Sequence, residues 1–362
     1  MVVPLASPPK SICLLRLSAL GDVSHVLPML RTLQAHWPQT AITWIIGKTE
    51  YGLVGDLPGV DFIIFDKAKG VAAYRELRRA LQGRRFDVLL HMQAALRASL
   101  ASLLVRADLR IGFDRARAKD MQWLFTNCTI AARPREHVLE SFFGFVEVLG
   151  VSERLLCWDI PIPETAAGFA AEQLPADGRC TLVISPCSSM AYRDWSSSGY
   201  AAVAIHAIRQ HGMKVVLCGG KSRREWLMGA EIMGRLDCEG CAGSVNNLIG
   251  STSLKQLLAV LARADVVLAP DAGPAHLATA VGTPVIGLYA CTNPDRARPY
   301  LSAGSVVNRY PEAVLAKYGK PVAELPWGIR VKEPGTMLRI TAEEVCTMLD
   351  KVLAATTQPM NP

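Results

Sequence analysis

Short apolar runs recur at regular intervals in the first half of the chain: SICLLRL (11–17), AITWIIG (41–47), VDFIIFD (60–66) and FDVLLHMQ (86–93). Their length and residue types predict strands. Between them, stretches such as VLPMLRTLQAHW and VAAYRELRRALQG place apolar residues at helical spacing. Such alternation implies right-handed crossovers and a mostly parallel sheet. The second half repeats the pattern with CTLVISPC (180–187), KVVLCGG (214–220), ADVVLAPD (264–271) and TPVIGLY (283–289). Two doubly wound α/β domains follow.

Pro161 and Pro163 interrupt the alternation, which places a linker at about residues 158–168 and divides a first domain, 1–160, from a second, 161–340. After Tyr289 the pattern loosens as far as residue 335, and TAEEVCTMLDKVLAA predicts an amphipathic helix within a closing segment, 341–362. Thr341 and Glu344 have the spacing of a capping box at its start. In such folds, ligands lie beyond the carboxyl ends of the strands, so a central cleft faced by the two domains is the expected site.

Composition adds a location and a charge asymmetry. Half of the 362 residues are apolar, enough for each domain to bury a core. The ten cysteines stand singly, several inside strand-like runs, as expected in a reducing compartment. The first residues lack the pattern of a signal peptide, and no apolar run approaches about 18 residues, so a cytoplasmic protein is expected. Residues 67–135 hold 15 Lys and Arg against 5 Asp and Glu, leaving 24 basic and 27 acidic residues elsewhere. The entire positive excess therefore lies in one stretch, which suits an anionic partner. For Arg84 and Arg85 taken alone, a solvated helix face suffices.

Three turns carry candidate chemistry. In RLSALGDVSHVLP, Asp22 stands where the first strand gives way to a helix, either as a working carboxylate or as a helix cap. In ADVVLAPDAGPAHLATA, a strand ends at Asp271, a turn contains Gly273, and a helix opens near Pro274. The free N–H groups of that helix make an anion site, whereas Asp271 taken alone would serve as its N-cap and His276 as a packing residue. In SPCSSMAYRDW, Ser188 and Ser189 offer donors and Arg193 a planar cationic fork, all suited to phosphate oxygens. Together the last two loops would hold a nucleotide diphosphate.

LLRLSALGDVSHVLPML, SPCSSMAYRDW and APDAGPAHLATAVGTPVIGLYACTNP, in this order, resemble the bacterial heptosyltransferases of glycosyltransferase family 9. FDVLLHMQAALRASL and REHVLESFFGF are similar as well, so the resemblance spans roughly residues 11–355. It implies a GT-B architecture of two Rossmann-like domains, with acceptor on the first and donor on the second. It also implies inverting transfer of heptose from ADP-L-glycero-D-manno-heptose to Kdo or heptose of the lipopolysaccharide inner core, without a metal or other cofactor.

On this resemblance Asp22 is the general base, while Ser188, Ser189, Arg193, Asp271, Ala272, Gly273 and His276 match donor-binding positions. Arg193 stands where many members have lysine. Arg75, Arg78, Arg79, Arg97 and His137 are the acceptor candidates, although His137 would serve equally as a cap or in packing. The implied partners are the nucleotide-sugar donor, the core acceptor and the anionic cytoplasmic face of the inner membrane, with no nucleic acid.

Other signals are weaker. Cys238 and Cys241 form one CEGC pair with no second pair to complete a zinc site. No G-x-G-x-x-G follows the first strand, so a dinucleotide-dependent oxidoreductase gains little support. Two alternatives remain at this level: a UDP-sugar epimerase of the same architecture, and a non-catalytic nucleotide-sugar-binding module.

Overall fold

The computed structural model describes residues 7–357, and the chain divides into two compact units, Met1–Pro161 and Ile162–Pro362. The first unit contains β1 (Ser11–Leu15), α1 (Leu20–His36), β2 (Ala41–Gly47), α2 (Lys48–Val54), β3 (Val60–Phe65), α3 (Val71–Ala80), β4 (Phe86–His91), α4 (Leu96–Ser102), β5 (Ala107–Gly112), β6 (Cys128–Thr129) and α5 (Val138–Glu147). Its six strands are all parallel, in the order β3-β2-β1-β4-β5-β6.

Both faces of this sheet are covered, which is why its strands read as continuous apolar runs. Cys13 and Leu15 of β1 share one core with Ile45, Leu89 and the inward residues Ala73 and Leu77 of α3. Ile12 and Leu14 alternate with them and are also fully buried. The opposite face of α3 carries Arg75, Glu76, Arg78 and Arg79 into solvent.

The second unit contains α6 (Glu164–Gln173), β7 (Thr181–Ile184), α7 (Ser197–His211), β8 (Lys214–Leu217), α8 (Arg223–Cys238), β9 (Val245–Asn247), α9 (Leu254–Arg263), β10 (Val266–Pro270), α10 (Gly273–Ala280), β11 (Val285–Tyr289), α11 (Pro294–Ala297), β12 (Val306–Asn308), α12 (Tyr310–Tyr318) and α13 (Ala342–Thr357). Its sheet is again six-stranded and parallel, in the order β12-β11-β10-β7-β8-β9.

In each sheet the chain starts in the middle, builds one half outward, returns and builds the other. The direction reverses between β1 and β4 in one unit and between β7 and β10 in the other. Loops leaving two such strands diverge and open a crevice at the strands' carboxyl ends.

Two expectations need correction. The stretch 158–168 is not all linker, because Pro163 is the N-cap of α6 and the helix begins at Glu164. Ala166 and Ala170 then bury one side of that helix. The region after Tyr289 is also more regular than its pattern implies. It contains β12 and α12, and Tyr310, Ala313, Val314 and Val331 form a small core of their own. With three residues, β12 is too short for any periodicity to register.

The capping box at the start of α13 is present, with Thr341 N–H donating to Glu344 Oε2 at 2.9 Å and Glu344 N–H to Thr341 Oγ1 at 3.3 Å. Val345, Leu349 and Val352 of this helix belong to the main core of the second unit. His206 and His211 near the end of α7 both approach Asp350 Oδ1, at 2.7 and 2.6 Å, and tie the two helices together at the surface.

Candidate functional site

Asp22 lies in the first turn of α1, but it does not cap the helix. The N-cap is Ala19, which makes no side-chain cap hydrogen bond, and the Asp22 carboxylate instead pairs with Arg16 Nη2. Arg16 emerges from the end of β1, and its side chain is only 11% exposed, against 36% for Asp22. Its Nη1 donates to the Met92 carbonyl at 2.6 Å, just beyond β4, and its guanidinium lies 5.4 Å from the Phe142 ring centre. The arginine is thus held from two sides and presents one nitrogen to the carboxylate.

The backbone around this pair is held across the sheet's point of reversal. Leu17 N–H donates to Gln93 Oε1 at 2.6 Å, and Gln93 Nε2 donates to Ser18 Oγ at 3.3 Å. Gly47 N–H donates to the Leu17 carbonyl at 3.0 Å, an approach so close that a Cβ on residue 47 would collide with that oxygen. Arg16 and Gln93 were not singled out in the sequence. An arginine inside LLRLSALGD and a glutamine closing the FDVLLHMQ strand are the polar interruptions that mark them.

In the second unit, the loops after β7 and β10 meet. Arg193 Nη1 donates to the Asp271 carbonyl at 3.1 Å and lies 3.0 Å from Asp271 Oδ2. His276 Nε2 lies 3.9 Å from Asp271 Oδ1. All three side chains are largely buried. Burial alone would push the Asp271 carboxyl up, but a hydrogen bond from His276, the Arg193 charge and the Thr292 hydroxyl outweigh it and hold the group below the ordinary carboxylate value. Burial opposes the charge on Arg193 as well, yet the facing Asp271 raises its pKa further.

Asp271 does not cap α10. The N-cap is Ala272, which makes no side-chain cap hydrogen bond, and Gly273 and Pro274 form the first turn. The dipole end of this helix is therefore not neutralised by a capping side chain, which suits an anion.

The two serines divide their work. Ser188 is buried, and its hydroxyl donates to Met190 O at 2.8 Å and accepts from Met190 N–H at 3.0 Å, so it shapes the loop. Ser189 is exposed. Two residues not anticipated from the sequence brace the same loop. Asp194 Oδ1 accepts from Ser188 N–H at 2.8 Å, and Arg224 binds both Asp194 Oδ2 and the Ser188 carbonyl. Arg224 belongs to GGKSRRE, whose Glu225 serves as the N3 partner in the α8 capping box.

The acceptor candidates separate into two groups. Arg75, Arg78 and Arg79 project from α3, and Arg97 is exposed at the start of α4, with Tyr74 Oη donating to the Arg97 carbonyl at 3.3 Å across the two helices. His137 instead caps α5, its Nδ1 accepting from Leu139 N–H at 3.2 Å, and it meets His25 of α1 edge-on at 5.4 Å. Arg84 and Arg85 are exposed, as expected, but they lie in the connection between α3 and β4 and not on a helix face, where they pair with Asp61 and Asp108.

Cys238 and Cys241 are both free thiols. Among the described residues, the group whose side chains could converge on a metal is His206, His211 and Asp350, away from both loop clusters in the sequence. No helix among the described residues is long and apolar enough to cross a membrane.

The model of glycosyltransferase family 9 (heptosyltransferase) matches residues 74–327. The chain is 42% identical over 344 residues to the lipopolysaccharide core heptosyltransferase OpsX of Haemophilus influenzae, covering 95% of this chain and 97% of that protein. A glycosyltransferase family 9 structure from Veillonella parvula superposes with a TM-score of 0.76 at 20% identity, covering 96% of this chain and 97% of that one. The Escherichia coli heptosyltransferase WaaC with ADP gives a TM-score of 0.71 at 20% identity, covering 94% and 99%. The fold is that of the GT-B heptosyltransferases, as the sequence resemblance implied.

Proposed function

Because the chain belongs to glycosyltransferase family 9, the heptosyltransferases, we propose that it transfers heptose from ADP-L-glycero-D-manno-heptose to a Kdo or heptose hydroxyl of the lipopolysaccharide inner core, with inversion at the anomeric carbon. The observation that carries this reading is the 42% identity to OpsX over 95% of the chain. The geometry supports it in each unit separately. Membership of a transferase family leaves the epimerase and binding-module alternatives without a comparable observation.

In this mechanism Asp22 accepts the proton of the acceptor hydroxyl. A sugar hydroxyl is far less acidic than an ordinary carboxyl of pKa ~4, so the carboxylate cannot remove the proton before attack begins. It takes the proton late, as the new C–O bond makes the hydroxyl acidic. Position therefore matters more than basicity, and Arg16 supplies it by holding one carboxylate oxygen while the other stays available.

The second unit supplies positive charge for the leaving ADP. Nη2 and Nε of Arg193 are not spent on Asp271, and Nε is buried without a hydrogen-bond partner. The uncapped α10 terminus adds its first-turn dipole. Preorganised donors of this kind stabilise charge that develops as the glycosyl–phosphate bond breaks. The reading needs no metal or other cofactor because these groups carry the countercharge.

The acceptor is carried at the cytoplasmic face of the inner membrane, where the protein works as a peripheral protein. The basic stretch 67–135, including Arg75, Arg78, Arg79 and Arg97, supports attraction to anionic sugars and lipid phosphates. Incubating the purified protein with ADP-heptose and a panel of truncated cores, followed by mass spectrometry, tests the whole reading. Addition of one heptose to one truncation is expected. Release of ADP without transfer to any core would overturn it.

A further inference from the structure

Helix α4 is built the wrong way round for a surface helix. Its small residues Ala98, Ser99, Ala101 and Ser102 are buried, while Leu96, Leu100 and Leu103, four and three residues apart, are 50, 43 and 62% exposed. That spacing puts the three leucines on one stripe. Beside them a single turn of 3₁₀ helix, Gln122–Phe125, and its N-cap add Met121, Trp123 and Leu124, which are 58, 39 and 59% exposed. The two segments are joined, since Leu96 N–H donates to Asp120 Oδ2 at 3.0 Å.

Six large apolar side chains gathered in this way mark an interaction surface, not scattered exposure. Their surroundings are cationic. Arg97 follows Leu96, the Arg115 guanidinium lies 4.7 Å from the Trp123 ring centre, and Lys119 is exposed on the same loop. Tyr74 links this helix to α3, which carries Arg75, Arg78 and Arg79. Asp120 is the acidic group of the patch, and its carboxylate is occupied by the Leu96 N–H.

We propose that this surface inserts into an anionic phospholipid bilayer, the leucine stripe and Met121-Trp123-Leu124 entering the interface while the arginines and lysine meet lipid phosphates. Leucine with tryptophan on one side and Lys/Arg around it is the chemistry that holds proteins in the plane of such an interface. Topology gives the surface a purpose. Strands β1, β4 and β5 are parallel neighbours, so the turn bearing Asp22, helix α4 and the loop after β5 all leave the same edge of the sheet. Docking there brings the base-bearing edge to a lipid-linked acceptor. The inference rests on the transferase reading for that purpose, but not for the binding itself.

The test is co-sedimentation of the full chain with phosphatidylcholine vesicles with and without phosphatidylglycerol, without any sugar donor. Wild type is expected to sediment with the anionic vesicles, and L100E/L103E and W123S each to bind at least tenfold more weakly. Transfer to a water-soluble core oligosaccharide should be unchanged in these variants, which also shows that they fold. No binding of wild type, or equal binding of wild type and both variants, would overturn the proposal. So would size-exclusion data in which wild type is a dimer and L100E/L103E a monomer, because the leucines would then cover one another. Failure of the transferase reading would appear separately, as inactive wild type in the soluble assay.

Discussion

Arg16 and Asp22 stand six residues apart on either side of the first strand-to-helix turn and form an ion pair that only the cationic partner buries. The asymmetry has a chemical meaning. A buried, doubly anchored arginine fixes direction, and a half-exposed carboxylate remains able to meet a substrate.

Replacing Asp22 by asparagine keeps its shape and removes its proton affinity. Turnover is expected to fall by about 10²–10⁴-fold, the range of a positioned general base, while circular dichroism stays native. Near-normal turnover would end the assignment. For Arg16→Met, kcat should fall by roughly tenfold or more with little change in donor KM, and Arg16→Lys, which keeps a cation beside Asp22, should recover part of that loss. A purely structural role would lower stability and leave kcat of the folded enzyme in place.

Arg193→Ala removes the fork that faces Asp271 and that we propose meets the donor phosphates. Donor affinity should weaken by about tenfold or more, and transfer should slow, since charge-assisted hydrogen bonds contribute about 1.5–3 kcal/mol each. Calorimetric titration with ADP checks the binding part without any acceptor. Unchanged ADP affinity would remove Arg193 from the phosphate site.

Asp271 links the site to pH. Its folded pKa is lowered, so the stability it contributes is fully present above the unfolded value near 3.9 and is lost as pH falls through the folded value. Asp271→Asn should cost about 3 kcal/mol at neutral pH, because Arg193 is left buried without its countercharge. Denaturant titrations from pH 7 to pH 3 should show the gap between wild type and variant closing below about pH 4. A gap that is constant over that range would contradict the pairing.

The thiols offer a check on packing. Burial pushes Cys187 and Cys218 up to about 12 and raises Cys13 further still, so none of the three presents a thiolate at neutral pH. Alkylation of the folded protein at pH 8, read by peptide mass spectrometry, should modify exposed Cys180 and Cys238 and leave Cys13, Cys187 and Cys218 intact. Early labelling of Cys13 would mean that β1 is not the sealed central strand described.

The repeated α/β alternation and the places where chemistry is offered are legible along the chain. Strands buried on both faces must be continuously apolar, so runs such as SICLLRL and CTLVISPC declare themselves, as do the glycine- and proline-marked turns at Asp22 and Asp271. Two pieces did not declare themselves: β12 has three residues, and α6 begins inside what reads as a proline-broken linker.

How the polar groups are spent depends on the folded arrangement. Local sequence permits Asp22 and Asp271 as helix caps, yet each carboxylate sits beside a stronger partner, Arg16 just after β1 and Arg193 from 78 residues away. Ser188, offered by its loop as a donor, is satisfied within that loop. The outward leucines of α4 are likewise invisible in a one-dimensional pattern, because spacing defines a stripe but only the surrounding fold decides whether it faces core or water. Arg16 and Asp22 share one short motif but are brought together only by the turn between them, and the pairing of Arg193 with Asp271 spans 78 residues, beyond any short window of sequence.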